Sequence, residues 1–283
     1  MFADGICQVS KNFFSKTVQF YDINYQLALN EDKTTIFENY CDFLNYFDSS
    51  ISVQLSFINQ QVDVAEFEKS IDIPDQNDDF NEIREEYRTM LKNQLSKGNN
   101  GLVKSKYITF GIEAESLKVA RPRLERIEAD ILNNFKVLGA QAHPLNGVER
   151  LEIMYHVFNQ DRIEPFRFNY KMLPQTGLKT KDFIAPTSFN FSKNTSFMMG
   201  KTLGSVSYLQ ILAPELTDRM LADFLDVDES INVNIHIQSI DQTSAIKMIK
   251  SKISDLDKMK IEEQKRAVRS GYDMDVLPSD LVT

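Results

Sequence analysis

Residues 51–59, ISVQLSFIN, carry an apolar side chain at every second position: Ile51, Val53, Leu55 and Phe57. That period suits an extended strand with one face out of water. Just upstream the period changes. Ile36, Phe37, Tyr40, Phe43, Leu44 and Phe47 recur at three and four residues, as on one face of a helix. A chain that switches between these two periods along its length must build both a sheet and a helical layer.

The switch repeats. Ile6–Val9 and Thr17–Ile23 read as a strand pair, Asn30–Asp48 as a helix and Ile51–Asn59 as a strand. Asp78 or Asp79 caps a helix carrying Phe80, Ile83, Tyr87, Met90, Leu91 and Leu95, which Gly98 ends. Lys106–Glu113 follows as a strand. Ser116 opens a helix carrying Leu124, Ile127, Ile131, Phe135 and Leu138, with Pro122 near its start and Gly139 as its stop. A short strand through Ala140–His143 and a helix over Val148–Phe158 complete this half. In the second half Ala185–Phe191, Ser196–Met199, Ser205–Ala213 and Ile231–Ile237 read as strands. Pro214 leads into a helix with Met220, Leu221, Phe224 and Leu225. Asp241 or Thr243 caps a long helix running to about Arg269.

These periods predict an α+β protein of two packed subdomains, each a mixed or antiparallel sheet with helices on one face, plus a long C-terminal helix. The first subdomain spans residues 1–160 and the second 182–283. The Pro- and Gly-bearing polar stretch 161–181 connects them. The chain has only 10 glycines and 8 prolines among 283 residues. That is about half of the roughly 12% that is usual, so little of the chain is left for long loops.

Charge narrows the function. The net charge is −9, whereas proteins that wrap nucleic acid show a basic surplus. The one basic stretch, Lys247–Arg269, interleaves Asp255, Asp257, Glu262 and Glu263 and lacks aromatics for base stacking. It reads as a solvated helix face. No apolar run reaches the roughly 20 residues that span a bilayer. Cys7 and Cys41 form no metal or redox spacing and suit a reducing cytosol.

Gly200-Lys201-Thr202 has the ending of a phosphate-binding loop. That loop needs a first glycine where Thr195 stands, and a helix after it. LGSVSYLQIL instead reads as a strand, so the stretch is expected to be a β-hairpin with Gly200 and Gly204 easing its turn. His143, His156 and His236 stand in no ligand-pair spacing. Asp223, Asp226, Asp228 and Glu229 lack the glycine and order of a calcium loop. They read as a solvated turn, and the pairs Asp78-Asp79 and Glu85-Glu86 as surface carboxylates. No nucleophile elbow is present, and Cys41 reads as a half-buried structural thiol. The sequence nominates no catalytic, cofactor-binding or metal-binding residue.

Several longer phrases occur together: YDINYQLA (21–28), FLNYFDSSI (43–51), LSKGNNGL (95–102), KYITFGIEAESLK (106–118), RLERIEADILNNFKVLG (123–139), KDFIAPTSF (181–189), LQILAPEL (209–216), DRMLADFLD (218–226), HIQSID (236–241) and KMKIEEQKRAVRSGYDMD (258–275). With them the chain resembles the N-terminal, non-motor region of conjugal-transfer ATPases of the CagE/TrbE/VirB type, in the form carried by Gram-positive conjugative elements. The resemblance implies a RecA-like motor beyond Thr283, and with it the ATP and Mg²⁺ sites. It implies no cofactor in the present chain. It implies docking to inner-membrane type IV secretion components and neighbouring ATPase subunits, at the inner face of the cell membrane, without direct nucleic-acid contact. Two other classes remain open at this point: a self-contained enzyme with a pocket at the subdomain junction, and a nucleic-acid-binding module using the Lys247–Arg269 helix.

Overall fold

The computed structural model of the chain describes residues 1–23, 25, 29–61, 73–97, 102–160, 165–209, 227 and 229–270. Its elements, in chain order, are β1 (Cys7–Gln8), β2 (Phe13–Phe20), α1 (Asn30–Asn45), β3 (Ile51–Gln61), α2 (Asn81–Lys97), β4 (Leu102–Glu113), α3 (Leu117–Val137), β5 (Ala142–Pro144) and α4 (Gly147–Phe158). There follow α5 (Met172–Thr176), α6 (Thr180–Ile184), β6 (Phe189–Asn190), β7 (Phe197–Met199), β8 (Thr202–Gly204), β9 (Ile231–Gln238) and α7 (Gln242–Ser270). The protein is α+β, with two sheets and a long C-terminal helix. The larger sheet runs β1-β2-β4-β3-β9, with β5 also on β2; the smaller runs β6-β7-β8.

β4 is the centre of the large sheet. It pairs antiparallel with β2 (Val18 opposite Ile108, Phe14 opposite Ile112) and with β3 (Ile51 opposite Ile112, Val53 opposite Phe110). This register gathers Phe14, Val18, Ile51, Val53, Ile108, Phe110 and Ile112 on one face, all of them buried. Helix α3 lies on that face through Ala120, Leu124, Ile127, Ile131 and Phe135. Phe43 and Phe47, from α1 and the turn after it, join the same cluster. Each such side chain contributes about 1.5–3 kcal/mol by leaving water.

α3 ends as its glycine predicts. Gly139 has φ +76°. Its N–H donates to Lys136 O, and the Ala140 N–H donates to Phe135 O, the paired bonds of a Schellman stop. Pro122 lies inside the helix, five residues beyond its first position, rather than in the first turn. The α2 cap also differs from expectation. Asp78 accepts from the Phe80 N–H and pairs with Arg84, and the helix begins only at Asn81. Ala185–Phe191 forms only the two-residue β6, and residues 205–209 form no strand. The helix expected after Pro214 lies outside the described residues.

Two results bear on the expected division of the chain. First, Ile231–Gln238 belongs to the large sheet, beside β3. Its half-buried isoleucines alternate with exposed residues, and Ile237 packs on the main cluster. Compact units accordingly divide the chain at Met1–Ile237 and Gln238–Thr283, not across 161–181. Second, the described part of that stretch is packed. Phe166, Phe168 and Tyr170 alternate in an extended segment. Phe166 packs tilted against Tyr155 of α4 at 5.2 Å, and Phe168 meets Phe183 of α6 edge-on at 5.0 Å. The alternation F-R-F-N-Y gives the segment an apolar side, which its polar average conceals.

Lys16 points into the apolar face and is 5% exposed. Its Nζ lies 2.7 Å from Glu128 Oε2 of α3, an oxygen on which no hydrogen-bond donor is well aligned. The contact is an ion pair inside the core. Breaking it by Glu128→Leu should cost about 3 kcal/mol, because a buried charge is then stranded. Adding Lys16→Met should restore stability to within about 1 kcal/mol, since an apolar pair of similar volume replaces the ions. Urea denaturation of the two single variants and the double variant measures both.

A second contact ties α1 to α3. The Tyr46 hydroxyl donates to Asp130 Oδ2 at 2.7 Å. Burial, then this bond, pushes its pKa up to about 12. The neutral phenol is the favoured form, so the bond's contribution is whole below about pH 10 and is lost as pH rises through about 12. Tyr46→Phe should therefore cost about 1 kcal/mol, unchanged between neutral pH and about pH 9. It should remove a tyrosinate absorbance step near pH 12 rather than near 10.

Candidate functional site

Gly200 and Lys201 form a two-residue turn between β7 and β8, which Met199 and Thr202 close as opposing partners. Gly200 has φ +58°, the left-handed conformation that tight hairpins use. The expected hairpin is therefore present. Gly204 acts differently from expectation: it faces Phe197, and a Cβ there would sit 2.6 Å from the ring. Its bare backbone admits the aromatic ring rather than easing the turn. A phosphate-binding loop requires backbone N–H groups converging at a helix N-terminus, and here the turn leads into a strand.

A cleft lies on the opposite face of the large sheet. There the register sets Ser15, Thr17, Gln54, Ser56, Tyr107 and Thr109 side by side, a polar floor. Helix α4 roofs part of it. Asn146 caps α4 by accepting from the Val148 and Glu149 N–H groups, and Glu149 reaches back to the Asn146 N–H. Ile153 and Val157 of α4 then pack on Ile58, Tyr107 and Leu145, a second and smaller apolar cluster. Between roof and floor remains a cleft of about 490 Å³. The floor is held by its own hydrogen bonds. Thr17 and Thr109 hydroxyls lie 2.9 Å apart. Gln54 and Ser56 both donate to Asn234 Oδ1, at 2.9 and 2.7 Å.

Among the described residues, Arg150 is the only charged one lining this cleft. Its guanidinium donates to Gly5 O at 2.6 Å, Ser15 O at 2.8 Å and Ser15 Oγ at 3.2 Å. The side chain thereby ties the N-terminal turn, β2 and α4 together. Among the described residues no carboxylate pairs with it. Burial pushes its pKa down to about 10; at neutral pH it remains a buried cation. No sequence motif singles this residue out. One signal was available: a cation at the end of a helix's first turn opposes the helix dipole, so it needs partners elsewhere. The cleft itself depends on pairing between segments more than 90 residues apart, which no local pattern announces. It lies between the sheet and α4, and none of its lining residues belongs to the 161–181 stretch, where the enzyme alternative would put a pocket.

The second unit holds α7. Asp241 caps it by accepting from the Ser244 N–H, and hydrogen bonds from the Ser244 hydroxyl and then its N–H lower the carboxyl pKa. The three, four and three spacing of Ile246, Ile249, Ile253 and Leu256 suits packing on a sheet. These residues are 44–55% exposed, and Met259 and Ile261 continue the exposed stripe. The basic residues of Lys247–Arg269 lie along the same helix.

The histidines, Cys41 and the acidic cluster weighed in the sequence are dispersed or undescribed. His143 is in β5, 3.4 Å from Glu149, while His156 is on α4 and His236 on β9. Cys41 is half-buried in α1. Asp223, Asp226 and Asp228 lie outside the described residues. Among the described residues no cluster of three metal-ligating side chains occurs, and no helix is long and apolar enough to cross a membrane. No family model matches the chain, and no curated protein matches it.

The hairpin geometry yields an expectation for nucleotides. Calorimetry with ATP and Mg²⁺ should show no micromolar binding that depends on Lys201. Binding abolished by Lys201→Ala would overturn this.

Proposed function

We propose that the chain is a non-catalytic docking module of a conjugative type IV secretion ATPase, joining the motor to inner-membrane channel components and to neighbouring ATPase subunits. What supports the reading is α7. It has 29 residues, about 43 Å at roughly 1.5 Å per residue. Ile246, Ile249, Ile253 and Leu256, spaced three, four and three, make one apolar line along it, and each is exposed. The stripe covers about 15 Å of that length at the same rise; a contiguous exposed apolar stripe marks an interaction surface, and an amphipathic helix laid against a partner is a common way to cover one. Phrases such as KYITFGIEAESLK and KMKIEEQKRAVRSGYDMD resemble the same family, and in the proposal this segment leads toward the motor. In the proposal, ATP and Mg²⁺ belong to the motor and this chain supplies contacts.

The test uses the chain together with the RecA-like motor of the same ATPase. Light scattering after size exclusion should show a complex. Ile249→Glu with Ile253→Glu should weaken it about a hundredfold, at roughly 1.4 kcal/mol for each lost anchor, with the circular dichroism unchanged. A complex indifferent to both substitutions would sink the proposal. Alone and dilute, residues 259–270 should exchange their amide hydrogens faster than α3, since few apolar contacts hold them. Equal protection in a monomeric sample contradicts the exposed stripe.

A further inference from the structure

We propose that the cleft between the polar face of the large sheet and α4 is a binding site for a carboxylate carried on a short apolar body, with Arg150 taking the carboxylate. The docking reading neither requires nor supplies this site. The cleft's volume of about 490 Å³ falls within the roughly 300–1,000 Å³ of small-molecule sites. Its walls are of two kinds. Ile153, Met154 and Val157 with Ile58 and Leu145 give an apolar side, and the hydroxyl and amide groups of β2, β3, β4 and β9 give a neutral polar side. Among the described residues a single charge, Arg150, stands in these walls.

That charge is incompletely answered. A guanidinium has five N–H donors, and Gly5 O, Ser15 O and Ser15 Oγ use three. All three acceptors are neutral, so the positive charge stays uncompensated in a site 4% exposed. Burying an unpaired ion is costly, and burial lowers the Arg150 pKa accordingly. An anion entering the cleft removes that cost. Two remaining donors match the two oxygens of one carboxylate. They are too few for a phosphate dianion, which spreads charge over more oxygens, and among the described residues the cleft offers no second cation. The apolar wall then accommodates the body of the ligand. The same chemistry is found in a free aliphatic acid and in the carboxyl terminus of an apolar peptide.

Cys7 reports on the site, because it lines the cleft and is half-buried. With Cys41→Ser it is the only thiol of the chain. The experiment measures alkylation of Cys7 by iodoacetamide, by mass spectrometry, against rising octanoate. By mass action the rate should fall about tenfold when octanoate reaches about ten times its Kd. Octanamide and inorganic phosphate should not slow it. N-acetyl-leucyl-valine with a free carboxyl terminus, but not its amide, should also protect. Stronger protection by the peptide acid than by octanoate supports the site and assigns it to a chain terminus; the reverse supports it and assigns it to a free acid. Met154→Trp, which fills the cleft and keeps all three Arg150 bonds, should abolish protection. Arg150→Lys should weaken it while leaving the charge. Equal protection by octanoate and octanamide, protection by phosphate, no protection by any acid, or protection that survives Met154→Trp would each overturn the proposal.

Discussion

Everything in the first unit depends on one alignment: Phe14, Ile51 and Ile112 on the same face of three neighbouring strands. A slip of one residue would turn Ser15, Ser52 and Gly111 toward α3 and expose the apolar set to water. The alignment therefore defines both sides of the sheet at once. One side becomes the main core. The other becomes a polar surface that cannot be closed by apolar packing alone, and α4 covers only part of it. The cleft is thus a by-product of the register that builds the core.

Arg150 is the joint between these two consequences. It draws together Gly5, Ser15 and the start of α4, and the close fit around it leaves no slack. A Cβ on Gly147 would collide with the Tyr170 hydroxyl and the Phe2 carbonyl, and one on Gly5, itself at φ +82°, with the Leu145 carbonyl. The N-terminal turn, α4 and the aromatic segment after it are packed as one corner of the unit. The same corner supplies one end of the cleft.

Periodicity made much of the fold legible. ISVQLSFIN identified β3, the 3–4 spacing of Leu124, Ile127, Ile131 and Phe135 identified α3, and Gly139 placed its end. The GKT hairpin was readable because the residues after Thr202 lack a helical period. Partnership was not readable. Ile231–Gln238 has the alternation of a strand in any sheet, and nothing local says that it joins β3. The 161–181 stretch looked like a polar crossing because its aromatics are diluted by charged and polar neighbours, although the chain packs only every second residue there. The cleft escaped notice for a related reason: its residues are ordinary Ser, Thr, Gln and Asn, and only the register brings them beside a buried arginine.

The place of β9 carries a consequence for biosynthesis. Gln54 and Ser56 find Asn234 across 180 and 178 positions of chain. On the ribosome, β4 can join β3 as soon as residue 113 has emerged, but the far edge of β3 must wait for β9. At about 5–20 residues per second, that wait is on the order of ten seconds. Throughout it an eleven-residue strand presents unpaired N–H and C=O groups next to an incompletely covered isoleucine and phenylalanine face, the arrangement that recruits strands from other chains. Crowded polysomes would put nascent copies of this same edge side by side. The yield of native protein is then governed less by the final stability of the sheet than by how quickly translation delivers its last strand.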